Sequence, residues 1–379
     1  MKIITIIGAR PQIIKAAAIS RAIREHFSGQ LTEIIVHTGQ HYDENMSAVF
    51  FDELKIPQPN YNLNVGSGNH GHQTAKMLEG IEDIILKEKP NAVLVYGDTN
   101  STVAGGLAAS KLLVPLIHIE AGLRSFNKKM PEEINRISCD HMATLLFVPT
   151  QQGIENLSKE GFAINNHAPY SIDNPKVYHC GDIMYDNSLF FSELAESKSI
   201  LKDLNLIGNF ILSTIHRNNN TDDPQRLEAI FEALTQISFT NKIPIVLPLH
   251  PRTKKMMESN LSKALLEKIS SSDLIKIIPP VSFLETIALE KNSTCVITDS
   301  GGVQKEAFFF KKPCIILRPE TEWVEIVENG NAILCDANTE RILKAYKELN
   351  DKTNFTYPNL FGDGKAAKFI CEEIINHIP

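Results

Sequence analysis

No two of the six cysteines, Cys139, Cys180, Cys295, Cys314, Cys335 and Cys371, form a CxxC pair, which removes the spacing a structural zinc site or a redox dithiol needs. They read as free thiols buried in a reducing compartment. Positive charge is also short. Lys and Arg number 38 against 45 Asp and Glu, a formal net charge of −7, so the generic footprint of a nucleic-acid or anionic-membrane binder is missing. An anionic ligand must then meet a local cationic site. Long apolar runs are absent as well: the first, Ile3 to Ile7, breaks at Gly8-Ala9-Arg10-Pro11, too short for a signal sequence or a membrane span. A cytoplasmic protein with no nucleic-acid and no membrane partner is expected. The 20 Gly and 19 Pro are scattered, which excludes collagen and low complexity.

What is present is length and pattern. A chain of 379 residues, 43% hydrophobic and 22% charged, exceeds one domain core and favours two. Short β-branched runs alternate with helical stretches, the pattern of parallel sheets covered on both faces. Strands are expected at Lys2–Ile7, Glu33–His37, Ala92–Tyr96, Leu116–Ile119 and Leu145–Val148, then at Phe210–Thr214, Pro244–Leu249, Ile275–Ile278, Thr294–Thr298, Cys314–Leu317 and Ala332–Cys335. A helix is expected at Glu44–Leu54 among others. The polar, proline-containing stretch Ala163–Pro175 suggests a hinge, and a last amphipathic helix is expected at Ala366–Ile378.

The first strand runs into Gly8-Ala9-Arg10-Pro11-Gln12 and a helix carrying Lys15, so backbone N–H groups, a helix N-terminus and two cations converge, a setting for a diphosphate. The alternative is a purely structural turn. Asp98, in YGDTNS, and Glu120, in HIEAGLR, follow the next strands, where open α/β sheets bind ligands. Asp98 has a second reading as a helix N-cap. MPEEINR looks like a helix start, in which Glu132 and Arg136 form an i,i+4 salt bridge or Glu132 points inward. Were three carboxylates to converge, repulsion would raise at least one pKa towards the general-acid range.

In the second half His216-Arg217 and His250-Pro251-Arg252 end strands and suit a phosphate. TDSGGVQKEA places Ser300, Gly301 and Gly302 as an anion nest at a helix start, with Ser300 as cap. Glu306 on that helix suits two ribose hydroxyls, with an ordinary solvated Glu as alternative. The loop Arg318–Trp323 holds the one Trp, otherwise a packing residue.

Together GARPQIIK, GDTNST, HIEAGLRS, MPEEINR, the HR after Thr214 and TDSGGVQKEA resemble the non-hydrolysing UDP-N-acetylglucosamine 2-epimerase family over nearly the whole chain. The resemblance implies an α/β GT-B fold, two Rossmann-like domains with an interdomain cleft. It also implies residues 1–168 with a returning helix at 364–379 as the first domain, and 169–363 as the UDP-binding one. By motif, Asp98, Glu120 and Glu132 match the acid/base group. Arg10, Lys15, Arg136 and His216 match catalytic or phosphate-contacting positions. Ser300 and Glu306 match UDP contacts, and Gln40, His250, Arg252, Gly301, Gly302 and Arg318 complete the expected UDP-sugar site.

The reaction implied is C2 inversion by UDP elimination through a glycal and re-addition, with no cofactor and no metal, in a homodimer. Departures include Gln12 for Glu, the short loop SFNKKMPEE, HRNNN after the strand, and Trp323 for Arg. They bring the chain closer to the subgroup acting on UDP-2,3-diacetamido-2,3-dideoxy-glucuronate for surface polysaccharide. Lys128 and Lys129 suit a uronate carboxylate, or are simply solvated. UDP-N-acetylglucosamine as substrate, a GT-B glycosyltransferase and a UDP-sugar-binding regulatory module are the alternatives.

Overall fold

The structure, a computed structural model, describes residues 1–39, 51, 54–206 and 208–379. It divides into two compact units, Met1–Asn187 with Asn359–Pro379, and Ser188–Pro358. The first is built on β1 (Lys2–Ile7), β2 (Thr32–His37), β3 (Tyr61–Asn62), β4 (Ala92–Tyr96), β5 (Leu116–Ile119), β6 (Leu145–Val148) and β7 (Lys176–His179). These pair in parallel in the order β3-β2-β1-β4-β5-β6-β7. Helices cover both faces of a parallel sheet, so its strands read as nearly continuous apolar runs. KIITII, AVLVY and LLFV are such runs. Register sets Ile4 beside both Ile34 and Val93, and Ile4, Ile6, Val36, Val93, Val95, Leu146 and Val148 form a buried cluster. Each such side chain contributes about 1.5–3 kcal/mol when fully buried.

The second unit holds β8 (Ile211–Thr214), β9 (Ile245–Pro248), β10 (Ile275–Ile278), β11 (Cys295–Thr298), β12 (Cys314–Ile316) and β13 (Ala332–Leu334), all parallel, in the order β10-β9-β8-β11-β12-β13. Its core gathers Ile211, Ile245, Leu247, Ile297 and Ile315. In each sheet the strand order reverses at one place, beside β1 and beside β8, and both units are Rossmann-like. The fold class is α/β of GT-B type.

Two strands lie where the sequence suggests none. β3 is two residues long, and β7 is an edge strand in which only Val177 is buried, so neither carries a strong apolar pattern. β7 changes the expected boundary. Leu145 pairs with Lys176 and Val148 with His179, which keeps the chain in the first sheet beyond Ala163–Pro175. That stretch is a loop inside the first unit, and the division falls after Asn187 and after Pro358, not after 168 and 363.

The last helix, Ala366–His377, belongs to the first unit. Its Ala366 and Ala367 N–H groups donate to the buried Asp186 carboxylate at 3.2 and 2.8 Å, and Phe369 meets Phe147 edge to face at 6.5 Å between ring centres. The expected helix at Glu44–Leu54 lies largely outside the described residues. Among the described residues no helix is long and apolar enough to cross a membrane, and all six cysteines are free.

Candidate active site

In the first unit, β1 ends at Gly8, where a Cβ would lie 2.1 Å from both Ser101 Oγ and Thr38 Oγ1; only glycine fits. The helix Arg10–Ala22 follows, and its buried Gln12 turns back on the chain. Gln12 Oε1 accepts the N–H groups of Gly8 and Ala9 at 2.9 and 3.1 Å. Its Nε2 donates to Tyr96 O and Thr102 Oγ1 at 3.0 and 2.9 Å. This corrects the reading of the turn as free backbone donors for a diphosphate, because an amide side chain already fills two of them while tying β1 to β4. Arg10 lies exposed on the first helical turn, and Lys15 reaches Glu120.

Thr99, not Asp98, caps the helix Asn100–Lys111, accepting from Thr102 N–H at 3.3 Å. The Asp98 carboxylate is thereby left to pair with Arg136 Nη2. Beside it Glu120 Oε2 pairs with Lys15 Nζ. Gly97 leaves room for that pair: its φ is +61°, and a Cβ there would lie 3.0 Å from Glu120 Oε2 and 3.2 Å from Lys15 Nζ. Glu120 itself has φ +69°, a left-handed conformation that costs a non-glycine residue on the order of 1–3 kcal/mol. Its N–H donates to Phe147 O at 3.0 Å and holds it there. Burial raises the Asp98 carboxyl above the ordinary aspartate range, Arg136 opposes the shift and Glu120 adds to it. Two acids and two cations thus share one site at the ends of β4 and β5.

The helix Pro131–Asp140 supplies Arg136 and turns Glu133, not Glu132, towards the interior. Glu132 is exposed on the first turn, whereas Glu133 is 1% exposed. Glu133 accepts from Ser125 and Phe126 N–H at 3.0 and 2.9 Å, and lies 3.2 Å from Arg136 Nη1. The expected i,i+4 pair of Glu132 with Arg136 gives way to Glu133 at i,i+3 and to Asp98. Helical periodicity puts 133, 136 and 140 on the inner face. Asn135 adds a bond to Asp98 O at 2.9 Å.

In the second unit, buried Asp299 organises the turn after β8. It accepts His216 N–H at 3.1 Å, Arg217 N–H at 3.0 Å and Asn220 Nδ2 at 3.1 Å, and lies 3.0 Å from His216 Nδ1. Burial alone would raise its carboxyl, but these donors and the His216 charge bring it below the ordinary range. Ser300 caps the helix Gly301–Phe309. A Cβ on Gly301 would lie 3.7 Å from Arg318 Nη1, 3.7 Å from Glu322 Oε2 and 3.9 Å from Trp323 Nε1. Arg318 therefore sits at the nest, held by Glu322 in a two-bond pair at 3.0 Å.

Glu306 is 8% exposed, which rules out the solvated reading. Behind it Glu290 is fully buried, its carboxyl raised well above the ordinary range by burial and by Glu306. Trp323 packs under Lys305 Nζ at 4.3 Å. His250 caps its own helix, accepting Arg252 N–H at 3.3 Å, while the Arg252 side chain turns to Asp222. Gln40 lies outside the described residues.

The sequence reading passed over Gln12, Glu133, Asn135 and Asp299 as site residues. Glu133, Asn135 and Asp299 act through backbone groups brought close by folding, whereas Gln12 closes the turn just before it; the local signals are Gln12 in that turn and Asp299 just before the nest. Among the described residues no group of three or more His, Cys, Asp or Glu is placed to hold a metal ion.

Residues 22–375 match a family described as UDP-N-acetylglucosamine 2-epimerase. The chain is 50% identical to a UDP-N-acetylglucosamine 2-epimerase homolog of Methanococcus maripaludis, over 99% of this chain and 100% of that one. It is also 50% identical to the UDP-2,3-diacetamido-2,3-dideoxy-D-glucuronate 2-epimerase of Pseudomonas aeruginosa, over 98% and 99%. The crystal structure of Methanocaldococcus jannaschii UDP-GlcNAc 2-epimerase in complex with UDP-GlcNAc and UDP superposes with a TM-score of 0.86 at 42% identity, covering 99% and 100%.

Proposed function

The chain belongs to the UDP-N-acetylglucosamine 2-epimerase family, an isomerase acting on UDP-sugars, and from that premise we propose that it inverts C2 of UDP-2,3-diacetamido-2,3-dideoxy-glucuronate to the manno isomer. The observation that carries the reading is the pair of acid–cation contacts, Asp98 with Arg136 and Glu120 with Lys15, set side by side at the ends of β4 and β5. Proton transfer at an unactivated carbon needs positioned carboxylates, and departure of a diphosphate needs nearby cations.

In the proposed reaction one carboxylate removes the C2 proton, and the C2–H electron pair becomes the C1=C2 double bond. The C1–O bond breaks with its pair passing to the UDP β-phosphate oxygen. The glycal is then protonated at C2 on the opposite face while that oxygen rejoins C1. Asp98 and Glu120 carry the acid/base work, with Glu132 reaching the sugar from its exposed turn. Lys15, Arg136, Arg10 and His216 balance the charge of the leaving diphosphate, and Ser300, Gly301, Gly302, Arg318 and Glu306 hold the nucleotide. His250, Arg252 and Gln40 complete the proposed binding set.

The uronate preference rests on the Pseudomonas aeruginosa relative and on the exposed Lys128 and Lys129, whose loop begins at the backbone groups Glu133 holds. We place the enzyme in the cytoplasm, as a homodimer serving surface-polysaccharide synthesis. Turnover in D2O, followed by NMR with UDP-2,3-diacetamidoglucuronate and UDP-N-acetylglucosamine side by side, tests the reading. Deuterium at C2 of the epimerised sugar is expected, and no incorporation from either sugar would sink it. A second substrate reading, UDP-N-acetylglucosamine, is favoured by the 44% identity to a Methanocaldococcus jannaschii enzyme of that name. The ratio of kcat/KM for the two sugars decides.

A further inference from the structure

Directly behind the two acids lies a chain of charged groups, buried at His118, Asp140 and Arg124 and reaching the surface at Glu160. His118, in β5, is 0% exposed, with Nδ1 2.8 Å from Asp140 Oδ1 and Nε2 2.8 Å from the Gly97 carbonyl oxygen. Asp140, also 0% exposed, has Oδ2 2.7 Å from Arg124 Nη1 and accepts Gly122 N–H at 3.2 Å. Arg124 in turn binds Glu160 through Nε and Nη2 at 2.7 and 2.6 Å. The contacts are placed around the acids in sequence as well: Gly97 precedes Asp98, while His118 and Gly122 flank Glu120 two residues on either side. The helix that carries Asp140 also carries Arg136, the partner of the Asp98 side chain. Asp98 is therefore held twice from one helix, at its carboxylate and through the carbonyl before it.

Hydrogen-bond direction fixes the state of the ring. A carbonyl oxygen only accepts, so Nε2 carries a proton towards Gly97. Asp140 lies against the Arg124 guanidinium and accepts the Gly122 N–H, the setting of an ionised carboxylate, which likewise only accepts, so Nδ1 carries a proton too. A ring donating from both nitrogens is an imidazolium. Its charge is balanced within the chain Glu160–Arg124–Asp140–His118, two negative and two positive groups.

Resting on the epimerase reading, we propose that His118 and Asp140 are positioning residues for the C2 proton transfer. The buried imidazolium bonds the Gly97–Asp98 turn to the end of the helix, and Asp140 bonds the Ala121–Gly122 turn, so together they set the separation of the Asp98 and Glu120 carboxylates. A misplacement of about 1 Å in a reacting group costs on the order of 10²-fold in rate, which is the leverage such a brace has without touching the substrate.

The test has two arms. In protein labelled with ring-15N histidine and free of ligand, one histidine at pH 7.5 should show both ring nitrogens protonated, with N–H protons that exchange slowly, and the signal should vanish in His118→Asn. A neutral tautomer at that position overturns the proposal whatever the substrate proves to be. In the second arm, Asp140→Asn should lower kcat at least ~10-fold while KM for the UDP-sugar moves less than ~3-fold, because the nucleotide contacts lie elsewhere. A folded Asp140→Asn protein with wild-type kcat overturns it as well. Should that variant not fold, the ligand-free spectrum of the unaltered protein still decides.

Discussion

The two units share one sheet plan and diverge in what they place at the same positions of it. Beside the order reversal of the first sheet, the helix after β1 and the loops after β4 and β5 deliver Lys15, Asp98 and Glu120, ionised side chains paired across the site. The loops after β8, β11 and β12 deliver instead a helix start, two glycines and Arg318, with the nearby acid, Asp299, consumed by backbone N–H groups. A carboxylate whose lone pairs are spent on backbone N–H groups organises a turn. One paired with a cation keeps a proton site. On the proposed function, the same topology yields a reactive site and a binding nest because of where the donors to its acids come from.

That contrast predicts different losses from each unit. The largest is expected for Asp98→Asn or Glu120→Gln, which should lower kcat at least ~10²-fold with UDP affinity nearly unchanged; near-normal turnover in both would erase the distinction. Because Asp98 titrates above the ordinary aspartate range, the acid limb of the pH–rate profile should lie above that range too if it acts as the base. A comparable loss of stability, not rate, is expected from Asp186, which closes the first unit on its last helix. Its carboxyl is pushed up to about 6 by burial, against the two N–H bonds from that helix. The folded state therefore binds this proton more tightly than the unfolded chain. Stability should fall by about 3 kcal/mol as pH rises from 3.8 to 6 and then level off. Urea titrations of wild type and Asp186→Asn across that window check it; a pH-independent difference between them would count against it.

In the second unit, Glu306→Ala should weaken UDP binding by about 1.5–3 kcal/mol with kcat changed less than ~3-fold. A loss confined to kcat would instead give this unit a chemical role. The smallest effect is expected for Arg252→Ala, whose exposed pair with Asp222 is worth about 1 kcal/mol or less. The thermal melt of that variant should lie close to wild type.

The elements most legible in the sequence were those whose signal is local. β1, β4 and β6 announce themselves as apolar runs, and Ser300 announces itself as a cap before two glycines. β7 did not, because an edge strand with one buried residue has no pattern to read, and the boundary was placed too early as a result. Glu132 and Glu133 stand side by side in PEE, and nothing in adjacent letters says which one a helix of 3.6 residues per turn will aim inward. Gln12 reads as a polar residue in a helix, although it fills the turn before it.

Composition and motif order by themselves determined the α/β class, the two Rossmann-like halves and the residue types a UDP-sugar site needs, because periodicity and turn chemistry act over a few neighbours. Only the tertiary structure decided which acid meets which cation. Asp98 finds Arg136 38 residues away and Lys15 finds Glu120 105 residues away, distances along the chain over which no local rule acts and only the packed sheet brings charges together.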